Sequence, residues 1–318
     1  MSWLPWVGRK KQVKRKGLIG VNVSPKGIAM AYLGSGNEGN GIPKIEAYSY
    51  VPTEEFLPAL RRFVFENDLE GVACNYVLPG PDYTLTLIDT PNVAPNEVKR
   101  AMQWLVREMI NFPIEEAAMD SFAVPIPRAR DNAKLSYVTV IRRTVIPAIE
   151  ALIKPTGLSL QYVDIPELAL RNLVSRYPEE VRGLAFIQLY PLGGRLIICK
   201  GGNVFSARFF DIRLDILQNP PAGTDVAPIL EQLALEVQRS LDYFTSTFRQ
   251  VLVSSLLLAP SVFDNEMIKQ ALQNALGTKT NCLDLNEILR FETPMSKEDQ
   301  TRCLLAIGGA LRDQENTT

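Results

Sequence analysis

The chain has 318 residues, of which 46% are hydrophobic and 22% charged, and its net charge is −1. That length supports two domains with cores of their own, and the composition excludes a largely disordered chain. The chain contains no histidine, which excludes Ser-His-Asp and Cys-His catalysis and removes the commonest general base and metal ligand.

The chain opens with Trp3, Leu4, Pro5 and Trp6, followed by Arg9, Lys10, Lys11, Lys14, Arg15 and Lys16. Residues 1–16 therefore read as a basic arm, and the remainder sums to about −7 by subtraction (−1 less +6). A mildly acidic body with its positive charge on an arm is not the footprint of a nucleic-acid-binding domain. Indole rings beside a basic run suit an anionic membrane surface, so residues 3–16 are either a membrane contact, a docking segment or a plain solvated tail. The apolar part precedes the basic part, the reverse of a secretory signal.

Residues 18–33 hold two apolar runs around Ser-Pro-Lys-Gly and predict a β-hairpin. A third strand is expected over 44–51 and a helix over 54–67. Strands follow at 71–78 and 83–88. Asn96 is the expected N-cap of a helix reaching about Asn111, with Ala101, Trp104, Leu105, Glu108 and Met109 on its period. Strands are expected near 119–126 and 135–141, a helix over 145–156 ending at Gly157, a strand over 158–164, and a helix over 166–176 with Pro166 in its first turn. Three further strands are expected at 184–190, 195–200 and 203–210. A long helix from about 228 to 248 follows, with Ile229, Leu233, Val237, Leu241 and Phe244 as its core stripe. A strand at 251–258, a helix at 263–276, a short strand near 282–285 and a helix at 297–312 complete the chain. Hairpin, strand, helix, strand thus occurs twice, from near residues 17 and 184.

Cys74, Cys199, Cys282 and Cys303 form no CxxC pair, so buried free thiols in a reducing compartment are expected, with no zinc site. Glu115 and Glu116 read as a solvated edge, and Asp211, Asp215 and Asp225 as structural. No apolar stretch, Val251 to Pro260 included, is long enough to cross a bilayer.

Five segments carry a family resemblance. They are the opening LIGVNVSPKGIAMAYL, residues 97–121 with Phe112-Pro113-Ile114-Glu115-Glu116, residues 145–173, EVQRSLDYFTSTF at 236–248 and LLAIGGALR at 304–312. In this order they resemble the PilM family of type IV pilus assembly, most closely its MshI-type branch of the MSHA pilus. The cytoplasmic part of GspL in type II secretion is the nearest alternative. The resemblance implies an actin-like, ribonuclease H-like two-domain α/β fold related to FtsA. Residues 17–180 would be the first domain, with an inserted subdomain at about 92–160, and residues 181–318 the second.

The resemblance also implies where a nucleotide would sit. Asn22 stands at a usual Asp position, with Ser24 retained, and Gln188 stands at a second Asp position. Tyr190 occupies a Gly position, with Gly193 and Gly194 following. Pro260 replaces a glycine turn after the strand at 251–258. Asn and Gln supply no charge for Mg²⁺, and proline has no amide proton. Asn22, Ser24, Gln188, Gly193, Gly194, Gly308 and Gly309 thus mark a degenerate nucleotide pocket, or plain turn and packing residues. No catalytic residue, metal or cofactor is expected, ATP being the one candidate.

The implied function is a cytoplasmic scaffold, peripheral at the inner membrane, that binds the N-terminal peptide of a PilN-like bitopic partner. The implied groove lies between the first domain and its inserted subdomain, walled by residues 83–88 and 97–126. An actin-like ATP switch and a GspL-like scaffold are the alternatives, and self-association is compatible with either.

Overall fold

The computed structural model describes residues 15–36, 41–125, 134–191, 193–218, 220, 225–262 and 265–312. Residues 1–14 of the basic arm lie outside the described residues.

The opening hairpin is β1 (Gly17–Ser24) and β2 (Gly27–Gly34), in register from Gly17↔Gly34 to Ser24↔Gly27. Gly27 has φ +155°, and a Cβ there would meet the Val51 carbonyl oxygen. The turn therefore requires glycine. β3 (Ile45–Val51) pairs antiparallel with β2. Helix α1 (Phe56–Glu66) buries Leu60, Phe63 and Val64 and leads to β4 (Ala73–Val77), parallel to β1. β8 (Ser159–Asp164) completes the sheet, in the order β3-β2-β1-β4-β8.

Between β4 and β8 the chain builds a separate three-stranded sheet from β5 (Tyr83–Asp89), β6 (Ala117–Val124) and β7 (Leu135–Arg142), in the order β5-β7-β6. Helix α2 (Val98–Val106) covers it. The expected face of α2 is corrected here: Met102 and Val106 are buried, whereas Trp104 is 66% exposed and Leu105 and Met109 also face solvent. The helix is apolar on both sides, and periodicity alone could not choose between them. It starts after Glu97 rather than at an Asn96 cap, and ends before Ile110 turns extended ahead of Pro113. α3 (Val145–Ile153) continues as a 3-10 turn to Gly157, whose φ of +82° ends it.

The second half repeats the plan. α4 (Pro166–Val174) leads to β9 (Leu184–Tyr190), β10 (Gly193–Lys200) and β11 (Asn203–Phe210). A short α5 (Leu214–Gln218) precedes α6 (Ala227–Phe248), which buries Leu233, Val237, Leu241 and Phe244. Then come β12 (Ser255–Leu258), α7 (Glu266–Leu276), β13 (Thr280–Cys282), α8 (Leu285–Ile288) and α9 (Lys297–Ala310). The sheet order is β11-β10-β9-β12-β13, the order of the first sheet position for position. β12 begins later than periodicity suggests, because Val251 and Leu252 are exposed ahead of the sheet.

Helix α9 returns to the first sheet. A Cβ on Gly20 would collide with the Ala306 carbonyl oxygen, so β1 and α9 touch backbone to backbone. Cys74, Cys199 and Cys303 are buried free thiols, and Cys282 is exposed. Burial pushes the Cys74 and Cys303 thiols up to about 12. Among the described residues no helix is long and apolar enough to cross a membrane, and no group of side chains is placed to hold a metal.

Candidate functional site

The first of the two hairpin turns expected to cradle phosphates has its polar side chains engaged locally. Asn22 Nδ2 donates to the Val77 carbonyl at 3.0 Å, tying β1 to β4. Ser24 Oγ donates to the Gly27 carbonyl at 3.2 Å and accepts from Lys26 N at 3.3 Å, closing its own turn. In the second hairpin Gly193 pairs with Tyr190 and Gln188 with Arg195. Gly193 has φ +142°, and Gly194 faces the Phe210 ring too closely for a Cβ. Gln188 Oε1 is buried with no hydrogen-bond partner among the described residues.

Gly308 and Gly309 lie inside α9, where a helix interior ordinarily disfavours glycine. A Cβ on Gly308 would collide with the Ala169 carbonyl oxygen of α4, and one on Gly309 would stand 2.7 Å from Val77 Cγ2. Their carbonyls accept from Asn172 Nδ2 at 2.9 Å and Asn75 Nδ2 at 3.0 Å. The pair thus lets α9 lie flush on α4 and the first sheet. Asn22 and Gly309 meet at Val77, and Gln188, Gly193 and Gly194 share the second hairpin.

Sequence reasoning missed the charged group at the junction of the molecule's parts. Arg195, on β10, has Nη1 3.4 Å from Glu167 Oε1, and both side chains are buried. Glu167 sits in the first turn of α4, after Pro166 at the helix start, where a carboxylate opposes the helix dipole. The Tyr83 hydroxyl, from the start of β5, lies 2.7 and 2.9 Å from the two Glu167 oxygens and donates to the carboxylate. Burial and the Glu167 charge hold the Tyr83 phenol well above its ordinary value. The Arg195 guanidinium lies 5.3 Å from the Tyr190 ring centroid and 5.8 Å from that of Phe209. First half, inserted sheet and second half therefore meet on one buried ion pair. The available signal was a single arginine inside GGRLIICK, a strand otherwise without charge until its last residue.

Two further polar nodes flank this one. Arg312 Nη1 reaches Asp164 Oδ2 at 2.9 Å, and the Tyr137 hydroxyl on β7 accepts from Ala207 N of β11 at 2.9 Å. Near the end of β12 the hollow beside Leu258–Ser261 is about 10 Å³, room for no more than a water.

A second cleft, of about 940 Å³, opens beneath the inserted sheet. One wall is the free edge of β6, residues 118–123. The opposite wall is the end of β8 and the face of α4, with Leu168, Arg171 and Asn172. Arg176 and Arg312 add positive charge, and Asp120 sits on the β6 side. β5, which carries residues 83–88, lies on the far edge of the three-stranded sheet, and of the segment 97–126 only the β6 part lines the cleft. Elsewhere, Glu116 pairs with Arg142, Asp215 with Arg213, and Asp225 caps the turn before α6.

No protein-family model matches the chain, and no curated protein matches it. Solved structures do. The PilM-PilN type IV pilus biogenesis complex aligns with TM-score 0.71 at 19% identity, over 93% of this chain and 98% of that one. The cytoplasmic domain of EpsL, an inner membrane component of the type II secretion system of Vibrio cholerae, aligns with TM-score 0.51 at 14% identity, over 93% and 95%. A Bacteroides thetaiotaomicron protein with an actin-like ATPase fold aligns with TM-score 0.48 at 11% identity, over 90% and 95%. The chain has the actin-like fold in the form that PilM and EpsL share.

Proposed function

We propose that this chain is a scaffold of an inner-membrane pilus assembly platform, working at the cytoplasmic face. Its task is to hold the extended N-terminal peptide of a PilN-like partner in the cleft beneath the inserted sheet. The observation that carries this reading is the unpaired edge of β6 facing an apolar and cationic helix face across a cleft of about 940 Å³. An exposed strand edge offers backbone hydrogen bonds to an extended peptide, and alternate side chains find pockets on the opposite wall. Arg171 and Arg176 favour a peptide with acidic groups beside its apolar anchors, whereas Arg312 is already paired with Asp164 in the same lining.

The same reading makes the site between the two halves a former nucleotide pocket without hydrolysis. Asn22 and Gln188 bring no charge for Mg²⁺, and Arg195, the strand partner of Gln188, is buried in an ion pair with Glu167, which also accepts from Tyr83. Within the pilus family we place the chain in the MshI-type branch, on its Leu-Pro-Trp start and the basic run that follows. A scaffold of the type II secretion kind is the second reading, favoured by the overlap with EpsL.

The test is titration of the full chain with a fluorescent N-terminal peptide of a PilN-like protein. Ser121 is exposed on β6 where it lines the cleft, and Ser121→Trp would fill the space beside the strand edge. Peptide affinity is expected to fall at least about tenfold, or ~1.4 kcal/mol, with the thermal midpoint unchanged. Equal binding by both proteins would remove the cleft from the reading.

A further inference from the structure

The end of the second sheet where β9 and β12 begin carries an apolar cluster. Val181 is 70% exposed, Val251 69% and Leu252 66%. Strand register brings the three together. Ser255 of β12 stands beside Leu184 of β9, and Ser254 N donates to the Gly183 carbonyl at 2.8 Å, so residues 252–254 run alongside 181–183. Cys199 near the end of β10 pairs with the same Leu184, which puts the β10–β11 turn at this end as well.

The charge around the cluster is one-sided. Arg182 and Arg249 are exposed, and neither has an ion pair among the described residues. Lys200 Nζ donates to Gln250 Oε1 at 2.7 Å. Glu179 and Glu180, the carboxylates next to Val181, are engaged. Glu179 Oε1 lies 3.7 Å from Lys279 Nζ, and the buried Glu180 accepts from Gly202 N at 2.8 Å.

We propose that this end of the second half rests on an anionic phospholipid surface. The aliphatic side chains project from the 3-10 turn at Pro178–Arg182 and from the connection between α6 and β12. They line neither the cleft beneath the inserted sheet nor the hollow at Leu258–Ser261. Projecting apolar groups between guanidinium groups suit a bilayer interface. The aliphatic groups leave water for the acyl boundary, and the arginines meet lipid phosphates. The contact also orients the cleft, which rests on the peptide reading above. Gly202 and Asn203 of the β10–β11 turn line the cleft, and Gly202 is tied to Glu180, next to Val181. One end of the cleft thus lies beside the patch, where a peptide leading from a membrane anchor would enter.

The test uses the full chain carrying Cys282→Ser and Leu252→Cys, with an environment-sensitive fluorophore on the introduced thiol. The other cysteines, Cys74, Cys199 and Cys303, are buried. Vesicles of phosphatidylglycerol and phosphatidylcholine are expected to shift the emission to the blue and raise it several-fold, and vesicles of phosphatidylcholine alone to leave it unchanged. Adding Arg182→Glu and Arg249→Asn is expected to raise the lipid concentration needed at least about tenfold. The thermal midpoint is expected to hold, because both arginines are exposed and asparagine tolerates the φ of +51° at position 249. Unchanged emission with the anionic vesicles, whether or not the chain sediments with them, would overturn the proposal. A blue shift without lipid that grows with protein concentration would also overturn it, giving the patch to a second copy. The emission is read without peptide, so a failure of peptide binding would remove the orienting role and leave the lipid contact standing.

Discussion

Helix α4 borders both the second half and the cleft beneath the inserted sheet, and meets them in opposite ways. Toward the second half, α4 presents Glu167, which is consumed by Arg195 and Tyr83 and sealed from water. Toward the inserted sheet it presents Leu168, Arg171 and Asn172 to an open cleft. The difference is one of burial. In the first place opposite charges lie buried against one another across three parts of the fold, and in the second the edge of β6 and Arg171 of α4 border an open cleft.

The most damaging way to break this contrast is to remove one partner of the sealed pair. Glu167→Ala would leave the Arg195 guanidinium buried and uncompensated, and stability measured by urea unfolding is expected to drop by about 3–5 kcal/mol. Replacing both, Glu167→Leu with Arg195→Met, is expected to recover most of that loss, because no charge is then left unpaired. A neutral outcome for Glu167→Ala alone would mean that water already reaches the seam.

A smaller effect probes the packing that holds the seam shut. Gly308→Ala puts a methyl against the Ala169 carbonyl, forcing α9 from α4 at a cost of about 1–3 kcal/mol. Gly36→Ala provides the comparison, since open space surrounds that position and its φ of +87° is the only cost. The smallest effect near neutrality is titration. Burial raises Tyr76 from 10.0 to about 12 and Cys74 from 9.0 to about 12, and raises Tyr83 well above 10.0. The folded state therefore keeps protons that the unfolded chain gives up, so stability is full below pH 9 and falls as pH rises toward 12. Tyr83→Phe is expected to shallow that alkaline decline in thermal-midpoint measurements, although it costs the hydrogen bond to Glu167.

Much of the architecture was legible in the chain, for local reasons. The hairpins are punctuated by Gly27 and Gly193, and the core stripe of α6 follows its helical period. The strands of both halves followed from the order of apolar runs, whereas an inserted subdomain was implied only by the resemblance, at about 92–160, and the separate sheet begins earlier, with β5 at Tyr83. What the sequence hid was long-range. Nothing near Glu167 or Arg195 announces the other, since the pair exists only once the two halves dock. The buried face of α2 was hidden because Trp104, Leu105 and Met109 are as apolar as Met102 and Val106. Gly308 and Gly309 fall inside the helix expected over 297–312, but only the fold shows what they touch, Ala169 and Val77, where their lack of a side chain serves close packing.

The most direct test is calorimetric titration of the full chain with Mg-ATP. The account predicts no binding heat up to millimolar nucleotide, and none after Asn22→Asp. Micromolar, Mg²⁺-dependent binding would contradict it, and would mean that the Arg195–Glu167 seam opens to admit phosphate.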